Sequence, residues 1–595
     1  MKLKLLALMG IAMTMGMAAG PEVAAPSTIL TGSAPGITKV IPASARAVVV
    51  FHNLSSLNTK IQSLAEQFSY GSHGPVPDIF TELGQMLGIS HGLNKQGSAA
   101  VVWLAPPPHF AGGASAAVVG ILPSVHAKAL AACFNAGPAH HGIMQGATQF
   151  QMPVYLALKG HYVLISNQQM LVAAALASKA SLSSVLSPAE RAAFASDDIT
   201  SRIDLHAFKG ASSGFASSMQ AMGPSINSPL ISQIIVDMKL ITEQVSKDSR
   251  TITIGLSDDD SGLTLHLLST VNPGSLTAKL IEAQQPLAPH PLAALPDLPL
   301  TVAGAIHING AATEQWIEQV TASAKPPGTA ATTQPDAAGL RQLSQIRKQL
   351  ALTQNLRVLL SGRSGGTHHL KVIDILNSTN PPRYLKLMRA WSKKEANNLL
   401  PMASGINIST HLKPASTSIA GILFDRSVTT MSLKPGSQND LTAKRALRSA
   451  RSMYGKAVVG YAGVVGSHLL VAVNVHKKQL SPIVRALKGT PFAGSLGNSP
   501  AIKMLQPHVL PHAMAVAYLP IDQWITAAEA AAREANGLPN QTNGAATLGP
   551  PISPMALSVT TGRASIMMQL FIPQATLIAT IRDSQDMSSL QILGQ

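Results

Sequence analysis

The chain has 595 residues, 46% hydrophobic, 12% charged and 4% aromatic, with 44 Lys and Arg against 28 Asp and Glu for a formal charge of +16. That length allows roughly four domains of about 150 residues each, and no apolar run after the N-terminus approaches the roughly 18 to 20 residues of a membrane-spanning helix, which excludes a polytopic membrane protein. The single cysteine, Cys133, excludes an intrachain disulfide framework and zinc sites built on paired cysteines.

Residues 1–20 place Lys2 and Lys4 ahead of an uncharged run from Leu5 to Ala19 that ends on small residues before Pro21. Basic start, apolar middle and small-residue end are the order of a signal peptide, so the expected location is periplasmic or extracellular. Residues 21–37, rich in Pro, Ala, Ser, Thr and Gly, read as a flexible leader.

A strand that runs directly into a helix then recurs. Arg46 to His52 leads through Asn53 into Leu54, Leu57, Ile61, Leu64 and Phe68, a spacing that puts one apolar stripe on a helix. Thr301 to Ile308 leads through Asn309 into Trp316, Ile317 and Val320, and Ala513 to Leu519 leads through Pro520 into Trp524, Ile525 and Ala528. A hairpin feeding a helix recurs as well. Its copies are Thr251 to Ser257 with Leu263 to Val271, Leu356 to Leu360 with Thr367 to Leu376, and Ala556 to Val559 with Ala564 to Ile572. Fainter copies are Ala99 to Ala105 with Ser115 to Leu122, and Lys456 to Ala462 with Ser467 to Val475.

Joined in order, the two units give strand, helix, hairpin, helix, which predicts an α+β chain of tandem ferredoxin-like modules. Antiparallel sheets with helices packed on one face are expected, arranged as two pseudo-repeated halves. The first half spans 38–285, with modules at about 38–180 and 200–285. A joint at 286–299, with five prolines from Pro286 to Pro299, precedes the second half at 300–595, with modules at about 300–395, 404–489 and 510–585. The run Ile41-Pro42-Ala43-Ser44-Ala45-Arg46-Ala47-Val48-Val49-Val50 with Asn53-Leu54 resembles the opening of uncharacterised secreted bacterial proteins of domain-of-unknown-function families. That resemblance covers the first module, implies export, and brings no catalytic residues with it.

Candidate chemistry is sparse. Gly362-Arg363-Ser364-Gly365-Gly366 satisfies the G-x-S-x-G pattern of a hydrolase nucleophile, but it falls in a predicted hairpin turn where that motif needs a strand-to-helix elbow. Ala493 to Gly497 around Ser495 misses the first glycine. His140-His141, His368-His369 and His508 with His512 are the closest histidine groupings; adjacent strand residues point to opposite faces, so His368 and His369 cannot both turn into one site, and Pro507 and Pro511 argue against a helix that would bring His508 and His512 together. Asp258-Asp259-Asp260 lacks the spacing of a calcium loop and reads as a polar turn. Cys133 falls on the apolar stripe of a helix expected to start at Pro123-Ser124, as a buried small hydrophobe, and Trp316 and Trp524 hold equivalent core positions.

These readings predict no catalytic, cofactor-binding or metal-binding residues and no cofactor. The expected function is a non-catalytic binding or structural component outside the cytoplasm, with a secreted serine hydrolase using Ser364 and a protein associating with anionic lipid or polysaccharide as alternatives. The positive charge reads as dilute, with Lys444, Arg445, Arg448 and Arg451 on one face of a helix from Leu441 to Tyr454 its densest stretch. A dilute charge with few aromatics disfavours nucleic acid as the partner.

Overall fold

β-Branched runs set the strands. In Ala47–Phe51 the alternation of a half-buried strand puts Val48 and Val50 in the interior, 1% and 0% exposed. A computed structural model describes residues 36–68, 78–105, 117–208, 229–298, 302–323, 337–362, 369–395, 405–520 and 553–578. Among these residues the chain is α+β, with 13 α-helices and 19 strands in one antiparallel sheet.

The pairing of neighbouring strands gives a single order from edge to edge. The first nine are Ile143–Ala147, Pro153–Lys159, Tyr162–Ser166, Val118–Pro123, Ala99–Trp103, Ala47–Phe51, Ile199–Asp204, Ser249–Asp259 and Gly262–Val271. Gly262–Val271 pairs with Ser565–Pro573, His266 opposite Gln569. Beyond it lie Met555–Thr561, Ala515–Leu519, Val302–His307, Thr353–Ser361, Lys371–Ser378, His468–Val473, Ala457–Val465, Ile422–Leu433 and Ile406–Ile419.

This order departs from a ferredoxin-like plait. There, the two strands joined by a helix are held apart by a third strand between them. Here Ala47–Phe51 pairs directly with Ala99–Trp103, and Val302–His307 with Thr353–Ser361, across the helices that connect them.

Residues paired across an antiparallel sheet share a face, so the register traces each side. Ala157, Leu164, Ile121, Ala100 and Val50 line one face and pack on Leu171 and Val172 of helix Gln169–Ala177 and Phe194 of helix Pro188–Ser196. One residue along, Leu156 and Ile165 turn the other way, onto Leu130 and Phe134 around helix Ala127–Ala132. The far end repeats the arrangement: Ile375 and Leu470 meet Leu480 and Ile483 of helix Lys477–Leu487, while Leu376 and Leu469 meet Tyr384 and Leu385 of helix Pro381–Glu395. Helices therefore cover both faces, not one, because these strands are apolar at odd and even positions alike.

The proline-rich segment is part of a core. Leu292 and Leu295, 2% and 0% exposed, pack with Ile502, Leu505 and Val516. Ile37, at the end of the predicted leader, is fully buried with Ile41 and Val48. A third cluster is helix on helix: Ile241 and Val245 of Pro229–Asp248 and Ile281 of Leu276–Glu282 meet Trp316, Ile317 and Val320 of Gly310–Ser323.

Candidate functional site

Charge is the property most unevenly distributed along the chain. Residues 371–503 hold 19 of the 44 Lys and Arg but only 4 of the 28 Asp and Glu, which is +15 of the +16; elsewhere 25 basic residues meet 24 acidic ones. The reading of a dilute charge is therefore corrected. In the fold these residues make up one end of the sheet, from Lys371–Ser378 to the edge strand Ile406–Ile419, with helices Pro381–Glu395, Leu441–Tyr454, Lys477–Leu487 and Pro500–Leu505.

Two of the four acids there are buried, and a third, exposed at the surface, caps a helix. Asp374 is 8% exposed among Val358, Val471 and Tyr384, and burial pushes its carboxyl up to about 7. Asp425, 2% exposed, accepts two hydrogen bonds from Arg389, at 2.6 and 2.7 Å. Asp440 accepts from the N–H groups of Thr442 and Ala443 and so caps helix Leu441–Tyr454. Twelve basic side chains of this end are exposed among the described residues.

Their faces follow from the register. Asp425, opposite Ala462, and Met431, six residues on, point to the same side. Asp425 holds Arg389 of helix Pro381–Glu395, and Met431 packs on Leu447 of helix Leu441–Tyr454. Both helices therefore lie on one face, with Arg383, Lys386, Arg445 and Arg448 exposed. Helix Lys477–Leu487 lies on the other, with Lys477, Lys478 and Arg485 exposed.

A second feature sits where Gly262–Val271 meets Ser565–Pro573. His266 Nδ1 lies 2.9 Å from Asp197 Oδ1, and its Nε2 lies 3.1 Å from Gln569 Oε1. Gln569 donates through Nε2 to the His508 carbonyl at 2.7 Å, which turns its amide oxygen toward His266. His266 Nε2 must therefore carry a proton, and Nδ1 faces a carboxylate with no exposed side-chain surface. Gly255 makes the space: a Cβ there would collide with Asp197 Oδ2. Nearby, burial lowers His52 to about 4 against the opposing pull of Asp197 and Asp198, and its Nε2 lies 3.3 Å from Thr200 Oγ1. With both His266 nitrogens engaged and no hydroxyl or thiol bonded to either, the geometry is that of a clamp between strands far apart in sequence.

The residues singled out from sequence are scattered. Ser364, His368 and Trp524 lie outside the described residues. Ser495 is 2% exposed and bridges to Pro296, and His140 and His141 are both exposed in a turn. His508 stacks on Phe571 with ring centres 3.6 Å apart, while His512 takes a left-handed φ of 54° in the following turn. In the acidic trio, Asp258 and Asp259 end a strand, and Asp259 accepts from the hydroxyl and N–H of Ser261 and from the N–H of Gly262. The trio is a hairpin turn. Trp316 is 3% exposed, in the helical cluster.

Cys133 differs from its expectation. Its helix is Ala127–Ala132, because Pro123 ends a strand, and the thiol is half-buried at the helix C-terminus with Sγ 3.6 Å from His91 Nδ1. Among the described residues no three His, Cys, Asp or Glu side chains gather as a metal site. No family model, curated protein or solved structure matches the chain.

Proposed function

We propose that this is an exported, non-catalytic binding or structural protein of the bacterial periplasm or cell exterior, held on anionic envelope material by its basic end. The observation that carries this reading is the confinement of the charge excess to residues 371–503, where Asp374 and Asp425 are buried and Asp440 serves as a helix cap. Export rests on the signal-like order of residues 1–20. A basic surface on which no aromatic is exposed among the described side chains suits a headgroup or polymer phosphate more than a stacked sugar or base. Among the side chains described at this end, Tyr384, Phe424 and Tyr461 are buried and Tyr454 and Phe492 half-buried.

We also read the two halves as copies of one unit. Outward from the junction, the first half places its strands, numbered along the chain, as ninth, eighth, seventh, first, second, third, sixth, fifth and fourth. The second half has the same scheme with one strand added in its outer meander. The corresponding strands Gly262–Val271 and Ser565–Pro573 meet antiparallel, as a two-fold relation requires.

The test is sedimentation of the chain lacking residues 1–20 with anionic vesicles, with neutral vesicles and with polyphosphate. Binding to an anionic partner that weakens as salt rises is expected. Absence of binding, or binding indifferent to salt, overturns the reading.

A further inference from the structure

We propose that the face carrying helices Pro381–Glu395 and Leu441–Tyr454 is a docking surface for an anionic phospholipid bilayer. The inference rests on the anionic-envelope reading and names its partner and surface. Helix Leu441–Tyr454 turns Ala443, Leu447, Ala450 and Tyr454 inward, at the spacing of one helix face, with Leu447, Ala450 and Tyr454 packed around Ile408 and Met431. The opposite stripe is Leu441, Arg445 and Arg448, four and three residues apart and all exposed.

Leu441 decides between partners. It is 65% exposed at the head of a stripe of arginines. A soluble polyanion gains nothing from it, whereas the headgroup boundary of a bilayer takes an apolar side chain beside basic ones. Helix Pro381–Glu395 adds Arg383 and Lys386 on the same side of the sheet, so two helices packed on one sheet offer a broad basic surface. Among the described residues the side chains of Arg383, Lys386, Arg445 and Arg448 enter no ion pair, and the buried carboxylate of Asp425 is taken by Arg389.

The experiment measures binding of the chain lacking residues 1–20 to vesicles of equal parts phosphatidylglycerol and phosphatidylcholine, and to polyphosphate. Neutralising Arg383→Gln, Lys386→Gln, Arg445→Gln and Arg448→Gln together should weaken vesicle binding by up to roughly a thousandfold, since each basic residue at an anionic surface contributes about 1 kcal/mol. The opposite-face set Lys477→Gln, Lys478→Gln, Arg485→Gln and Lys503→Gln removes the same charge and should weaken it far less. Leu441→Ser should weaken vesicle binding about fivefold and leave polyphosphate binding unchanged. Circular dichroism of each variant confirms that the fold is kept. Equal losses from both sets overturn the surface assignment, and a Leu441→Ser variant that binds vesicles like the parent overturns the bilayer. If the parent chain binds neither vesicles nor polyphosphate, the underlying reading falls instead.

Discussion

Asp374 shows at the scale of one residue how burial becomes a pH dependence. Its neighbours across the sheet are Val358 and Val471, its Oδ1 has no hydrogen-bond partner, and burial raises the carboxyl from 3.8 to about 7. A carboxyl raised in the folded state keeps its proton while the unfolded chain releases one. This residue therefore costs stability progressively as pH rises from the unfolded value to about 7, after which the cost is constant. Asp374→Asn removes the titration. The variant is expected to match the parent in thermal unfolding near pH ~4 and to exceed it by on the order of 2 to 4 kcal/mol near pH ~8. A difference that stays constant between those limits would show that Asp374 does not titrate in this window. His52 runs in the opposite sense: lowered from 6.5 to about 4, it is held neutral in the fold, so its contribution is present above 6.5 and lost as pH falls toward 4. Neither behaviour is legible in the sequence, where Asp374 is an isolated acid in an apolar strand. His266 is equally silent, since its partners stand 69 and 303 residues away.

At the scale of elements, legibility tracked alternation. Thr251 to Ser257 and Leu263 to Val271 are found as Ser249–Asp259 and Gly262–Val271, and the helix expected from Leu441 to Tyr454 has those limits, since strands and helices with one buried side write their period into the sequence. The hairpin Ile406–Ile419 with Ile422–Leu433 was missed. It turns tightly through Ala420 and Gly421, at φ of 47° and 81°; its first strand starts on an alternation of Ile406, Ile408 and Leu412 with polar residues, but the largely exposed run Lys413 to Ser418 carries no apolar side chain larger than Pro414 and breaks the period. Among the described residues that strand is also the open edge of the sheet. Lys413 and Pro414 interrupt it beside a register shift between Lys413 and Thr417, devices that keep an edge from templating another chain. Replacing them, Lys413→Val with Pro414→Val, should leave the fold intact and produce concentration-dependent association by light scattering. A double variant that stays monomeric at the concentrations of the parent would mean that the edge is protected by something else.

Across the whole molecule, the property most nearly legible was the charge. A count per segment shows the excess between Lys371 and Lys503, whereas the average over the chain conceals it. The coupling of the two ends of the chain was not legible, because it depends on which helices meet in space. Ile241 and Val245, before the proline-rich segment, pack with Trp316, Ile317 and Val320 after it, and Arg347 Nη2 donates to Asp237 Oδ2 at 2.9 Å across the same boundary. Leu292 and Leu295 of that segment are themselves core residues, packed with strands and helices C-terminal to it. A cluster drawn from both sides cannot melt on one side alone, so the parts should unfold together despite a length at which chains commonly unfold in stages. Ile241→Ala leaves a cavity in that cluster at an expected cost of about 2 to 5 kcal/mol. Followed in urea by tryptophan fluorescence and by circular dichroism, the variant should show one transition, with both signals shifted to lower urea by the same amount. Two resolved transitions, with only part of the tryptophan fluorescence and ellipticity change shifted by the substitution, would mean that the shared cluster does not bind the two sides into one cooperative unit.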